Sequence, residues 1–255
     1  MSSNKKKNTG DIKQAPRPLT KKEIEAKKKA KAERKKKIIT IVTAAAILLS
    51  VVLGITFCVL SDTGGACAYF ETRNTEGHDL KYVKITTEYG KIVLLLDATT
   101  APITVENFLK LTNEGFYDGL TFHRIMDNCM IQGGDPNADG TGGSSENIKG
   151  EFSANGVNND ISHIKGVISM ARSNAYNSAS SQFFICNDDA SYSLDGKYAA
   201  FGYVIAGLDT VDKITAEGIK HTSNQDNGTI KKKRLQPVIE SIVEITEKEA
   251  MKYAK

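Results

Sequence analysis

The sequence predicts a mainly β domain, a predominantly antiparallel barrel or sandwich, carried behind a charged tail and a membrane anchor. Three observations lead to this. From Lys81 onward, short runs with two-residue apolar alternation recur between turn signals. Only two segments show helical spacing, and the connections are rich in glycine. Upstream of all of them, the 23 residues Ile38–Leu60 contain no charge.

Charge divides the chain. Residues 1–37 hold 15 Lys/Arg against 4 Asp/Glu, and the rest holds 19 against 26, so a tail of +11 precedes a body of −7. An acidic body argues against nucleic-acid binding by the domain. Residues 1–37 read as a basic, disordered, cytoplasmic tail, broken by Pro16 and Pro18. The apolar run 38–60 would form a helix about 34 Å long, enough to span a ~30 Å hydrocarbon core. Lysines end just before it and Asp62 follows it, so the positive-inside rule places the N-terminus in the cytoplasm and the body outside. The competing reading is a cleaved signal peptide ending near Ala66-Cys67-Ala68, but the run exceeds the usual h-region. Residues 61–80, rich in Thr, Gly and Asn, read as a linker, and 81–250 as the domain.

The four cysteines, Cys58, Cys67, Cys129 and Cys186, form no metal-binding pattern and no disulfide framework.

Within the domain, Val83, Ile85 and Thr87 alternate, Glu88-Tyr89-Gly90 turns, and Ile92–Leu96 runs back as a hairpin. Pro102 suits a first helical turn; Val105, Phe108, Leu109 and Thr112 share a face, and Gly115 stops the helix. Leu120–Arg124 reads as strand and leads into Ile125–Asp135. If that stretch continued as one strand, Arg124, Asn128, Met130 and Gln132 would share a face. About thirty residues of glycine-rich loop follow. They lack the Lys-Ser/Thr and the helix of a phosphate-binding loop, so the glycines are read as permitting close backbone approach along a site wall. Lys165–Arg172 and Ser181–Cys186 read as strands, with Gln182 and Phe184 on one face. Leu194–Lys197 turns into a strand ending near Val204, and Leu208, Val211 and Ile214 mark a second helix. In the last strand Ile239, Val243 and Ile245 face inward, with Glu240 and Glu244 in water; its pairing with the first strand would close the barrel.

Six separated segments carry one resemblance: Phe122-His123-Arg124, Met130–Asp135, Gly140–Gly143, Ser169–Ala171, Ser181–Ile185, and Leu194–Lys197 with Phe201-Gly202. In order and spacing they resemble the cyclophilins, with a bacterial-like flavour, over about Lys81–Ile245. The resemblance implies a closed eight-stranded antiparallel barrel capped by two helices. It implies peptidyl-prolyl cis/trans isomerase activity on proline-containing polypeptides with no metal or cofactor, and the reading expects a monomer. Residue by residue, Arg124 matches the catalytic arginine. Gln132 and Met130 match the glutamine and methionine bordering it. Ala171 and Arg172 match positions whose backbone holds the residue before proline. Gln182 matches a second glutamine, and Phe184 and Leu194 match proline-pocket walls; Gly140 falls in the glycine-rich wall. Cys129 stands where a phenylalanine usually lines the pocket, Ser193 where many eukaryotic members carry tryptophan, and Tyr198 where many carry histidine.

The chemistry suits these residue types. Rotating an X–Pro bond breaks amide resonance across a barrier of ~18–20 kcal/mol, and needs an apolar grip on the ring and a fixed donor rather than an acid–base pair. Arginine is permanently charged and presents a rigid fork of donors. His123, as its strand neighbour, would face the other way and is read as structural; no G-x-S-x-G elbow supports a hydrolase. The alternative reading is a proline-segment binding module with weak turnover, its pocket loosened at Cys129.

Overall fold

The computed structural model describes residues 75–222 and 227–254. The tail, the anchor segment Ile38–Leu60 and the linker up to residue 74 lie outside the described residues. Among those described, no helix is long and apolar enough to cross a membrane.

One eight-stranded antiparallel sheet forms the domain. Its strands are β1 (Leu80–Thr87), β2 (Gly90–Asp97), β3 (Arg124–Met126), β4 (Met130–Gly133), β5 (Val167–Met170), β6 (Phe183–Cys186), β7 (Ala199–Ala206) and β8 (Ile239–Ile245), in the order β3-β4-β6-β5-β7-β2-β1-β8. The expected β1–β2 hairpin and the pairing of β8 with β1 are both present. That last pairing does not close a barrel. It leaves β8 at one edge and β3 at the other, so the sheet is a curled half-barrel rather than a ring of eight continuous ladders. Between the edges run only isolated bonds, such as Phe122 N–H to Pro237 O at 2.9 Å and Ile239 N–H to Leu120 O at 2.8 Å.

Among the described residues four α-helices accompany the sheet: α1 (Pro102–Asn113), α2 (Ser191–Leu194), α3 (Leu208–Gly218) and α4 (Glu247–Ala250). The two long ones, α1 and α3, are those with helical spacing in the sequence. Val105, Phe108 and Leu111 of α1 and Leu208, Val211 and Ile214 of α3 enter the main core. Ala101 cannot cap α1 with its side chain. The buried carboxylate of Glu151 does so from 48 residues downstream, accepting from Ile103 N at 3.1 Å and Thr104 N at 2.8 Å. Inside the curl, Phe108 meets Phe183 edge-on at 5.4 Å and Tyr117 at 5.1 Å.

Two sequence expectations change here. The Leu120–Asp135 stretch is not one strand. It folds back at Asp127-Asn128, with Asn128 at φ 54, so Asn128 leaves the shared face and Arg124 and Gln132 become cross-strand partners. In β8, Val243 is exposed (39%) and Ile242 is buried (1%). Thr86 pairs with Ser241 but Thr87 with Ile239, so Glu240 is an extra residue. This bulge shifts the side-chain phase by one, which lets Ile239 and Ile242 both face inward.

Candidate functional site

Strands β4 and β6 build the site because their two faces differ. Ile131, Phe183 and Ile185 point into the main core. On the other face, Met130, Phe184 and Cys186 form a small apolar cluster with Ala190, bordered by Cys129, Ala171, Leu194 and Tyr198. Cross-strand pairs Met130–Cys186 and Gln132–Phe184 bring this face together.

A cavity of about 250 Å³ opens above it. Nine of the eleven expected site residues line it: Arg124, Gln132, Met130, Cys129 and Phe184 from the β3–β4–β6 side, and Ala171, Arg172, Leu194 and Tyr198 from the facing loops. Gly140 and Gln182 line a second cavity of about 370 Å³, which shares Gln132, Ala171 and Arg172 with the first. All eleven therefore lie around one continuous groove.

Arg124 is half-buried and held by three acceptors. Nη1 donates to Gln132 Oε1 at 3.0 Å, Nε to the Asn227 carbonyl at 2.8 Å, and Nη2 to Met126 Sδ at 2.9 Å. Burial pulls its pKa below the usual arginine value, but the group stays charged at any ordinary pH. Its contact sets an amide relay. Because arginine can only donate, Gln132 must turn its oxygen towards Arg124 and its nitrogen away. Gln132 Nε2 then donates to Gln182 Oε1 at 2.8 Å, and Gln182 Nε2 to the Gly142 and Gly140 carbonyls at 2.7 and 3.2 Å. The loop that receives the relay is tied by the buried Asp135, which accepts from the backbone N–H of Asn137 (2.8 Å) and Asp139 (3.1 Å). A Cβ on Gly142 would collide with Asp135, which bears out close backbone approach as the reason for glycine there.

Three contributors went unnoticed in the sequence. Asn227 offers only a backbone carbonyl, which any residue carries; the single hint is Asn-Gly at 227–228, a turn dipeptide, with φ 50 and φ 80. Met126 sits two residues from Arg124 on its strand. Behind the cavity wall, His163 stacks on Phe184 (centroids 6.0 Å, planes at 20°), with Nδ1 2.8 Å from Asp195 Oδ1 and Nε2 3.0 Å from Ser169 Oγ. The Asp–His–Ser order mimics a hydrolase triad. Ser169, however, is fully buried in β5 and lines neither cavity, so its hydroxyl cannot meet a substrate. Burial lowers the His163 pKa although Asp195 opposes it.

His123 is buried, with neither ring nitrogen bonded. Cys129 and Cys186 share the apolar cluster as free thiols, and burial raises the pKa of both. The groove has no pair of carboxylates, and no cluster of metal-ligating residues occurs among the described residues. It combines an apolar depression with the fixed cation of Arg124 beside Gln132 and a second arginine, Arg172, on the facing loop, which suits gripping a small ring and donating a charged hydrogen bond.

Comparisons with known proteins agree with this geometry. The family model described as cyclophilin type peptidyl-prolyl cis-trans isomerase/CLD matches residues 82–240. The chain is 36% identical over 172 residues to peptidyl-prolyl cis-trans isomerase A of Dickeya dadantii, covering 64% of this chain and 83% of that protein. It is 40% identical over 147 residues to a peptidyl-prolyl cis-trans isomerase of Helicobacter pylori, covering 57% and 86%. Among solved structures, a Cryptosporidium parvum cyclophilin type peptidyl-prolyl cis-trans isomerase, determined in the presence of the dipeptide Ala-Pro, superposes with a TM-score of 0.56. It is 28% identical and covers 66% of this chain and all of that one. A match across more than half the chain, on a sheet and groove that suit it, means that the chain belongs to the cyclophilin-type peptidyl-prolyl cis-trans isomerase family.

Proposed function

We propose that this chain accelerates X–Pro isomerisation by stabilising the twisted amide over an apolar proline pocket. The observation that carries the reading is the fixed state of Arg124 at the rim of the cavity. Three of the five N–H donors of a guanidinium are engaged with Asn227, Gln132 and Met126, leaving two for a substrate. Phe184, Met130 and Leu194 hold the proline ring, with Cys129 at the edge. As the amide twists, the prolyl nitrogen regains a lone pair, and an Arg124 N–H donates to it. A charge-assisted bond made only in the transition state supplies ~3 kcal/mol, roughly a hundredfold in rate. Gln132 holds Arg124 in place, Gln182 holds Gln132, and the Ala171–Arg172 backbone takes the residue before proline. The Ala-Pro dipeptide named for the Cryptosporidium relative supports a proline-containing polypeptide as substrate.

The uncharged run Ile38–Leu60 after a +11 tail supports a single-pass anchor with the domain outside the cytoplasm, and so a role in folding exported proteins. The test is proline-limited refolding of a model polypeptide with the full chain in detergent, wild type against Arg124→Ala. Acceleration lost in the variant supports the mechanism; equal activity refutes it. Peptide binding without any rate enhancement would support the binding-module reading instead. For topology, protease added outside intact cells removes the domain if the anchor reading holds, and leaves it untouched if the domain is internal.

A further inference from the structure

The side chain of Arg172 has an unusual setting for a residue on the rim of a groove. Its guanidinium lies over three aromatic rings, 4.7 Å from the centroid of Tyr198 and 5.1 Å from those of Phe152 and Tyr176. All three of its nitrogens donate to backbone carbonyls. Nε and Nη2 both donate to Lys197 O, at 2.9 and 2.8 Å, and Nη1 donates to Ser173 O at 2.8 Å. Arg172 thus ties the loop after β5 to the turn before β7. The residue after that turn is Tyr198, whose ring meets Phe184 edge-on at 5.8 Å. Phe184 and Tyr198 both line the smaller cavity, and His163 stacks on Phe184.

We propose that Arg172 is a positioning residue for the proline pocket: its guanidinium pins Tyr198, and through Tyr198 it steadies the Phe184 ring. This rests on the isomerase reading above and adds to it a residue acting through another, where the resemblance assigned only the backbone at this position. Two physical points favour it over direct substrate contact. A guanidinium that donates to backbone carbonyls from all three nitrogens and lies within about 5 Å of three ring centroids has lost the freedom to follow a ligand. Loss of the cation would leave Tyr198 with its edge contact to Phe184 but without the guanidinium over its ring, and a wall ring that moves weakens ground-state and transition-state grip alike.

The test is a double-mutant cycle on the full chain, reading KM and kcat separately with an Ala-Pro and a Glu-Pro peptide. Arg172→Ala is expected to raise KM about tenfold with kcat within about twofold, equally for both peptides. In a Tyr198→Ala background the same change is expected to cost less than about twofold, because the ring it acts through is gone. Tyr198→Phe keeps the ring and should keep the full effect of Arg172. Arg172→Lys, which cannot reproduce the fork, should lie between wild type and Arg172→Ala, and it carries the cycle if Arg172→Ala fails to fold. Penalties that multiply across the cycle, or a larger loss for Glu-Pro than for Ala-Pro, overturn the proposal in favour of independent or direct contact. If the wild type binds peptide but does not isomerise it, the isomerase reading fails, and the same cycle read in peptide Kd still decides the role of Arg172.

Discussion

Arg124 and Gln132 stand directly opposite each other on β3 and β4, with Nη1 3.0 Å from Oε1. The pair links the only cation shared by the cavity and the β3–β4 hairpin to a chain of amides ending at the glycine-rich loop. Gln132→Ala should therefore loosen Arg124 without removing it. We expect about a tenfold fall in kcat/KM, against roughly a hundredfold for Arg124→Ala. Steady-state kinetics on a proline peptide checks the ranking. A Gln132→Ala loss equal to that of Arg124→Ala would mean that Gln132 does more than position.

Cys129 fills little of the cavity edge it occupies. Cys129→Phe adds an aromatic wall beside Met130 and Arg124, and should tighten peptide binding by about 1 kcal/mol, roughly fivefold in Kd. Calorimetry with a proline peptide reads this directly. Weaker binding would show that the larger ring blocks the mouth.

The β8 bulge separates two neighbouring residues energetically. Ile242→Ala should cost about 3 kcal/mol, because the side chain is buried in a packed core. Val243→Ala should stay within about 1 kcal/mol, because that side chain is exposed. Urea denaturation distinguishes them, and equal costs would place the bulge elsewhere.

Acid should weaken the fold earlier than carboxylates alone predict. Burial holds His123 and His163 below the usual histidine value of 6.5. Beneath that pH the unfolded chain binds protons that the folded chain refuses, so stability rises with pH across the window. The contribution is complete above about 6.5 and is lost as pH falls towards the folded values. Asp97 and Asp195, whose pKa values are lowered, add a further loss only below 3.8. The urea midpoint at pH 5 should lie below that at pH 7.5, and His123→Leu should reduce the difference, leaving the share that His163 contributes. An unchanged slope in that variant would show that His123 takes no part.

Much of this protein is legible in one dimension. The β1–β2 hairpin follows from alternation and a turn, and α1 from Pro102 and its 3.6-residue apolar stripe; these signals are local, because residue types at short spacing dictate backbone geometry. The groove residues came instead from the resemblance of six ordered motifs to the cyclophilins. Tertiary structure decided what depends on pairing. The fold-back at Asn128 turned Arg124 and Gln132 into partners across two strands. The extra residue Glu240 reversed the burial of Ile242 and Val243. A carbonyl at Asn227 and a carboxylate at Glu151 reached their targets across 103 and 48 residues. Backbone carbonyls have no residue signature, and a one-residue slip in register flips every side chain beyond it, so neither can be read before the strands have chosen their neighbours.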